Sequence, residues 1–311
     1  MLCRLKKVIN IMKNDKIKFF DVNIYRRDNL AKNNLQFLED KNIPLPAIVE
    51  ISNSGTCNRV CSFCPRSDPN YPDLKEFITS ELHEKIFKQL SEVNFQGVIS
   101  YSGFNEPLLK KNIYRDIRQA RDYLPKAKIE IVTNGDALNI SRLKKLFDHG
   151  LTTILISVYD GPEDYEKFKK MCKDANLHSL QYMVRKRYLN EDNDFGITIN
   201  NRSGCLTNSK YKILPLKEPL KKKCTYPSYN FFIDYNGDVL MCSHDWGKKM
   251  ILGNMVNQNF LDIWTSKKSN IVRKKLNAGD RNFSPCNVCD VEGTLIGNEH
   301  SNAWNRINEQ K

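Results

Sequence analysis

The chemistry available to this chain is concentrated in its thiols. Residues 57–64 read CNRVCSFC and place Cys57, Cys61 and Cys64 within eight positions. Cys224, Cys242, Cys286 and Cys289 form a second group in the last third, while Cys3, Cys172 and Cys205 stand alone. Three plus four is not the arithmetic of a disulfide framework, and thiolates grouped this way point to zinc or iron–sulfur chemistry. A structural zinc ion wants four protein ligands. The first group has three, with no histidine nearer in sequence than His83. On a four-iron cluster, three thiolates leave one iron open as a place for a small molecule to bind. The second group has 17 residues between Cys224 and Cys242, 43 between Cys242 and Cys286, and two between the last pair. Four thiolates close a four-coordinate site with no gap, and by spacing alone that site is zinc or a cluster.

These thiols need a scaffold, and the sequence between them describes one. Ile48 to Ser52 (IVEIS) is a β-prone run leading straight into the first cysteine loop. Thr79 or Ser80 can cap a helix with Glu81 in its first turn and Leu82, Ile86, Leu90 and Val93 at helical spacing. GVISYSG (97–103) is a strand ended by Phe104-Asn105-Glu106-Pro107, and a helical pattern over Ile113 to Tyr123 stops at Pro125. IEIVTNG (129–135) is a strand with a turn, and Asn139 can cap a helix ending at Gly150. TTILISVYDG (152–161) is a further strand and Glu163 to Lys173 a helix; SLQYMVRKRY (179–188) and FGITIN (195–200) close the series. Strand–helix alternation with nearly continuous apolar strands is the mark of a parallel sheet covered by helices. About six strands suit a partial (β/α)6 barrel better than a full eightfold one.

After about residue 206 the rhythm breaks. NFFIDYNGDVLMC reads as a hairpin around the two-residue turn Asn236-Gly237, and LDIWTSKKSNIVRKKL (261–276) as one amphipathic helix. The expected organisation is an N-terminal polar extension over 1–45, an α/β core over 46–205, and a small metal-binding domain over 206–311.

CNRVCSFC, with Asn58 after its first cysteine and the aromatic Phe63 before its third, closely resembles the signature of the radical S-adenosylmethionine (SAM) superfamily. Its place at the carboxyl end of the first strand fits that resemblance. The resemblance implies a [4Fe-4S] cluster on Cys57, Cys61 and Cys64 whose open iron is chelated by the amino and carboxylate groups of SAM. One electron from the cluster then cleaves the sulfonium, and the 5′-deoxyadenosyl radical abstracts hydrogen from substrate. SGFNEP (102–107) is similar to the family's second-strand motif, usually written with two glycines and Glu-Pro. Gly103 and Glu106 would carry the contact with the SAM amino group, and Asn105 replaces the commoner glycine. TNG (133–135), with Asn134, and Ser157 with Asp160-Gly161 match the third and fourth strand ends, where ribose contacts are common; Phe63 belongs to the same SAM-contacting set. Arg185 or Arg187 would pair with the SAM carboxylate, since a guanidinium binds carboxylate bidentately.

Gly237 in a hairpin five residues before Cys242, followed by paired cysteines after a helix, resembles the SPASM/twitch extension of the same family. With four cysteines it resembles the shorter twitch form, which carries one auxiliary [4Fe-4S] cluster. A fully ligated cluster implies electron transfer. A substrate radical at a carbon bearing a hydroxyl or amine would lose a proton to solvent or base and an electron to that cluster. Architecture and cysteine spacing over roughly residues 46 to 295 resemble the family's amino-sugar dehydrogenases.

Two isolated residues carry competing readings. Cys205, in NRSGC after the sixth strand, is expected near the barrel mouth, either as a hydrogen donor for redox-neutral epimerisation or as a small buried residue. His244, two past Cys242, is a proton-transfer group or a solvated loop residue. Tyr101, Tyr159 and Tyr182 point along strands toward core or active site.

The formal charge of +13 arises from 49 basic and 36 acidic residues. Its runs, Lys221 to Lys223 and Arg273 to Lys275, are diluted by apolar neighbours and read as solvated helix faces and loop ends. They also suit docking of an acidic electron donor of the flavodoxin or ferredoxin type; no aromatic–basic interleaving speaks for nucleic acid. No apolar stretch is long enough to span a membrane, and MLCRLKKVINIMKNDK lacks a signal-peptide core, so a cytoplasmic chain is expected. The leading expectation is a radical SAM oxidoreductase acting on a small polar metabolite such as a sugar or cyclitol alcohol. A peptide-modifying radical SAM enzyme is the second, although a 45-residue extension is short for a leader-binding module. The third, a non-catalytic zinc and iron–sulfur binding protein, predicts zinc comparable to iron and no SAM cleavage.

Overall fold

The computed structural model describes residues 22–38, 41–188, 200–208, 213–214 and 216–309 of the 311-residue chain. Six strands lie parallel in one sheet: β1 (Ile48–Ser52), β2 (Val98–Tyr101), β3 (Lys128–Thr133), β4 (Thr153–Val158), β5 (Tyr182–Lys186) and β6 (Asn230–Asp234). Helices α2 (Ser80–Glu92), α3 (Ile113–Tyr123), α4 (Ile140–Asp148) and α5 (Pro162–Asp174) connect the first five. The caps form as their sequence dictates: Leu82 N–H donates to Thr79 Oγ1 at 3.2 Å, and Arg142 N–H to Asn139 Oδ1 at 2.8 Å.

Among the described residues, the sixth parallel strand comes from a segment not expected to join this sheet. FGITIN falls almost wholly outside the described residues. The strand that pairs in parallel is β6, from the hairpin assigned to the second domain, and it joins the sheet beside β1. With β7 (Asp238–Leu240) and β8 (Ile251–Asn254) the order is β8-β7-β6-β1-β2-β3-β4-β5, an open, partial barrel with two antiparallel strands on one edge. The hairpin turn spans Tyr235 to Gly237 rather than two residues, because only Gly237 takes the left-handed conformation, at φ +88°. The helix expected over 261–276 is two: Ser266 interrupts it and caps α8 (Lys267–Asn277) through Ser269 N–H at 3.0 Å, leaving the short α7 (Phe260–Trp264) before it.

Alternation along the strands separates two interiors. Val49 and Ile51, Ile99 and Tyr101, Ile129 and Ile131, and Ile154, Ile156 and Val158 pack outward against Leu82, Ile86, Leu90, Ile117, Leu143 and Phe168 of the helices. Each large side chain so buried contributes on the order of 2 kcal/mol. The other face is polar: Glu50, Ser100, Ser102, Glu130, Ser157 and Asn230 are all buried on it. That polarity leaves room for a site.

The N-terminal extension is part of this arrangement. Residues Val22–Asn33 form a helix, α1, whose Leu30 and Ala31 pack on Ala47, Ile48, Val98, Tyr229 and Ile296 at the starts of the strands. Its Arg26 forms a two-pronged ion pair with buried Glu130 of β3, one prong at 3.1 Å, and Arg27 approaches Glu50 of β1 at 3.9 Å. Buried carboxylates need such partners, so α1 floors the barrel. The run Arg273 to Lys275 is also only partly solvated: Arg273 is buried between Trp264 and Trp304, 4.0 and 3.9 Å from the two ring centres. No helix among the described residues is long and apolar enough to cross a membrane.

Candidate active site

The polar face opens into a cavity of about 870 Å³ at the carboxyl ends of the strands. Cys57, Cys61 and Cys64 line one wall. Their loop is held from both sides by arginines within it. Arg59 binds Asp136, just past β3, through contacts of 2.7 and 2.5 Å, and Asp160, just past β4, through contacts of 2.9 and 2.6 Å. Its guanidinium also lies 5.5 Å from the ring centre of Tyr159, which in turn stacks on Phe63 at 5.5 Å. Arg66 donates to the carbonyls of Phe104 and Gly55 and pairs with Asp73. Neither arginine was singled out from sequence, although the aspartates just beyond two strands were a usable signal.

The strand ends that resembled SAM-binding motifs converge on the cavity. Gly103 has φ +103°, and a Cβ there would lie 2.9 Å from the Phe232 ring, so glycine is required. Asn105, the departure from the motif, is bound by Asn53 and Ser54 and fastens the end of β2 to that of β1. Glu106 is buried, with one carboxylate oxygen accepting from Thr133 Oγ1 at 2.7 Å and Leu108 N–H at 3.0 Å, the other from Asn134 N–H at 2.7 Å. Burial raises its pKa, and those three donors oppose the rise. Asn134 Nδ2 donates to Asn58 Oδ1 at 2.8 Å, tying β3 to the cysteine loop. Arg185 donates to Ser157 Oγ at 2.7 Å, and both line the cavity with Arg187, Tyr159 and Phe63.

The second group of cysteines adjoins the same cavity through sequence neighbours that line it, Tyr226, Ser243, His244 and Asp290. Cys242 and Cys286 share an apolar cluster with Met241, Val272 and Leu276, and Cys224 packs against it. In both groups the second cysteine of the close pair turns back on the first, Cys64 N–H to Cys61 C=O at 2.9 Å and Cys289 N–H to Cys286 C=O at 3.3 Å. Burial raises the pKa of all seven thiols, Cys61 to about 12 and Cys224 to about 11, and neighbouring thiols add to the effect within each group. Binding metal would expel those protons.

The chemistry around the second group fits an anionic centre. Arg281 is buried and donates to the carbonyls of Lys222, Lys223, Val291 and Glu292 at 2.7–3.1 Å. Among the described residues no carboxylate pairs with it, and its charge raises no objection only if thiolates nearby balance it. Among the described residues no three His, Cys, Asp or Glu side chains converge closely enough for a single ion.

His244 lines the cavity from that side. Its Nε2 hydrogen-bonds Tyr226 Oη at 2.9 Å, its backbone N–H donates to Cys242 Sγ at 3.3 Å, and its Nδ1 is buried without a partner among the described residues. It is no solvated loop histidine: burial, with Arg202 and Arg27 nearby, lowers its pKa to about 3 and keeps the ring neutral. Cys205 does not reach the cavity lining. The chain turns through left-handed Arg202, Ser203 and Gly204, which presents Arg202 to the cavity and leaves Cys205 behind Trp246 with Phe104, Phe232 and Leu240. Of the three tyrosines, Tyr101 is core, Tyr182 packs against it, and Tyr159 faces the cavity. Arg202, half-buried with its Nε buried and unpartnered among the described residues, gave no sequence signal, because its position depends on those positive-φ turns.

Comparison with known proteins agrees with this geometry. Residues 51–186 match the radical SAM superfamily, and residues 224–290 match SPASM, an iron-sulfur cluster-binding domain. The S-adenosyl-L-methionine-dependent 2-deoxy-scyllo-inosamine dehydrogenase of Niallia circulans is 30% identical over 245 residues, 78% of this chain and 92% of that protein. The crystal structure of BtrN in complex with AdoMet and 2-DOIA superposes with a TM-score of 0.68 at 26% identity, covering 83% of this chain and 98% of that one. anSMEcpe with bound AdoMet, at 12% identity and a TM-score of 0.51 over 86% of this chain and 94% of that one, shares the fold.

Proposed function

We propose a reaction from the premise that this chain belongs to the radical SAM superfamily and is an enzyme with an added iron–sulfur SPASM domain: it dehydrogenates a small ring bearing hydroxyl or amino groups. The observation that carries this reading is one shared cavity. Cys57, Cys61 and Cys64 line it, and so do Tyr226, Ser243, His244 and Asp290, next to the second cysteine group. A substrate held there can meet both a hydrogen abstractor and an electron acceptor. The 2-deoxy-scyllo-inosamine named for the 30% identical relative is a ring of this class.

In this reading Cys57, Cys61 and Cys64 hold the cluster that binds SAM, and Cys224, Cys242, Cys286 and Cys289 hold the auxiliary one. When bound, SAM and the first cluster supply hydrogen abstraction, and the auxiliary cluster takes up one electron. The chain's own residues do the positioning. Phe63, stacked on Tyr159, would flank SAM; Gly103 would let the backbone approach it; Arg185, steadied by Ser157, and Arg187 line the same cavity and would pair with its carboxylate. Glu106 holds the ends of β2 and β3 in register through its own three hydrogen bonds and, at the cavity lining, would meet the SAM amino group with its remaining acceptor capacity. His244, hydrogen-bonded to Tyr226 and lining the cavity, is positioned to relay the proton that leaves with oxidation rather than to hold it. Cys205 packs outside the cavity, which disfavours a thiol returning hydrogen and therefore epimerisation. The first electron comes from a flavodoxin- or ferredoxin-type donor.

The test is anaerobic reconstitution followed by iron, zinc and product analysis with SAM, dithionite and 2-deoxy-scyllo-inosamine. About eight irons per chain are expected, with 5′-deoxyadenosine and the ring ketone formed in equal amounts. About four irons, with zinc that disappears in Cys224→Ala, would refute the auxiliary cluster. Deoxyadenosine without any oxidised ring would refute the dehydrogenase reading.

A further inference from the structure

The two arginines of α1 meet the barrel's inward carboxylates differently. Arg26 is committed: both prongs of its guanidinium engage Glu130, and neither residue lines the cavity. Arg27 is not. It stands 3.9 Å from Glu50, beyond hydrogen-bond length, and among the described residues no acceptor takes any of its N–H groups. Asn23, Ile24 and Arg27 from α1 and Glu50 from β1 all line the cavity. Arg27 keeps 16% of its side chain exposed, and that exposure faces the cavity.

Glu50 is held rather than saturated. Its Oε1 accepts from Ser102 Oγ at 2.7 Å and its Oε2 from Asn230 Nδ2 at 2.9 Å. A carboxylate has about four lone-pair sites, so each oxygen retains acceptor capacity. Next to it the Oδ1 of Asn230 is buried with no partner among the described residues. Buried polar atoms of a native fold are nearly always satisfied, and exceptions call for water or a ligand. The cavity floor therefore presents unspent donors on Arg27 beside unspent acceptor capacity on Glu50, with the unpartnered Asn230 Oδ1 buried behind it.

We infer that Arg27 and Glu50 form a donor–acceptor subsite that binds adjacent hydroxyl or amino substituents of the substrate ring, so that Arg27, from the N-terminal helix, determines specificity. A guanidinium donates to one ring oxygen while the carboxylate accepts from the O–H or N–H on the next carbon. Vicinal substitution is the pattern that matches both at once. This rests on the proposed dehydrogenation of a ring polyol and deepens it.

Steady-state oxidation of 2-deoxy-scyllo-inosamine by the holoenzyme tests the inference. Arg27→Gln is expected to raise KM tenfold or more with kcat changed by less than threefold and a smaller fall in Tm than Arg26→Gln shows, and Arg27→Lys to recover part of the loss. Arg26→Gln should do the reverse, lowering Tm with KM within twofold of the parent. If Arg27→Gln misfolds, Arg27→Lys at the parental Tm must still show a raised KM. Parental KM in both folded Arg27 variants, or a loss confined to Tm and kcat, would overturn the subsite while leaving the dehydrogenase reading intact. A parent that cleaves SAM but oxidises neither 2-deoxy-scyllo-inosamine nor scyllo-inositol would overturn both.

Discussion

Arg281 offers the sharpest test of how the second cysteine group is assembled. Its guanidinium, 2% exposed, joins two chain segments that are distant in sequence: the carbonyls of Lys222 and Lys223, beside Cys224, and those of Val291 and Glu292, beyond Cys289. Replacing it with methionine keeps most of the aliphatic volume and removes every donor. Hydrogen bonds from a charged group contribute about 1.5–3 kcal/mol each, so the four sum to an upper bound of about 6–12 kcal/mol. The desolvation of the buried cation offsets much of that, and breaking such a buried hub costs about 3–5 kcal/mol. At about 1.4 kcal/mol per tenfold, the population holding Cys224 near Cys286 and Cys289 falls by roughly two to three and a half orders of magnitude. Urea unfolding of the apoprotein should register the loss of stability directly. Anaerobic reconstitution should give about four irons per chain in Arg281→Met against about eight in the parent, with the electron paramagnetic resonance signal of the first cluster retained. Arg281→Lys should fall close to methionine, because one ammonium cannot span both segments. A methionine variant within about 1 kcal/mol of the parent and fully loaded with iron would refute the reasoning.

Two further outcomes follow from the same structure. Arg59→Ala removes the clamp from the first cysteine loop to Asp136 and Asp160; because these carboxylates are partly solvated, the loss is about 1–2 kcal/mol, and iron should leave the first cluster to an anaerobic chelator roughly 5- to 30-fold faster, unchanged release being the contrary result. His83 and His300 are fully buried, each with a pKa lowered to about 4. The unfolded chain binds a proton on each near pH 6.5 while the folded one does not, so their contribution is complete above about pH 6.5 and is lost as pH falls toward 4. Between pH 7 and pH 5 each should cost about 2 kcal/mol. Urea midpoints measured across that range should fall less steeply in His83→Asn, and an identical slope would contradict the assignment.

The parts of the fold that local sequence could specify are those whose physics is local. Thr79 and Asn139 cap the helices they precede because a cap needs only residues three positions apart. The strand ends bearing Gly103, Asn134 and Ser157 meet around one cavity because a parallel sheet brings all carboxyl ends to one side. The break between α7 and α8 was missed because Ser266 preserves an amphipathic pattern while its hydroxyl opens a new helix. α1 was read as a mere extension because it is mostly polar, and what it neutralises, Glu50 and Glu130, lies far along the chain.

The amino-acid sequence by itself determined the chemical groups on offer: three thiols in one short loop, four more in the last third, and a parallel scaffold beside them. Ligand type and short spacing decide that, and both are written in consecutive residues. Only the tertiary structure decided what faces the cavity between them. It admits Arg27, Arg202 and His244 and excludes Cys205, because which way a side chain points depends on backbone turns and on partners tens to hundreds of residues away. It likewise set β6 beside β1, so that the second cysteine group is built onto the same sheet as the first.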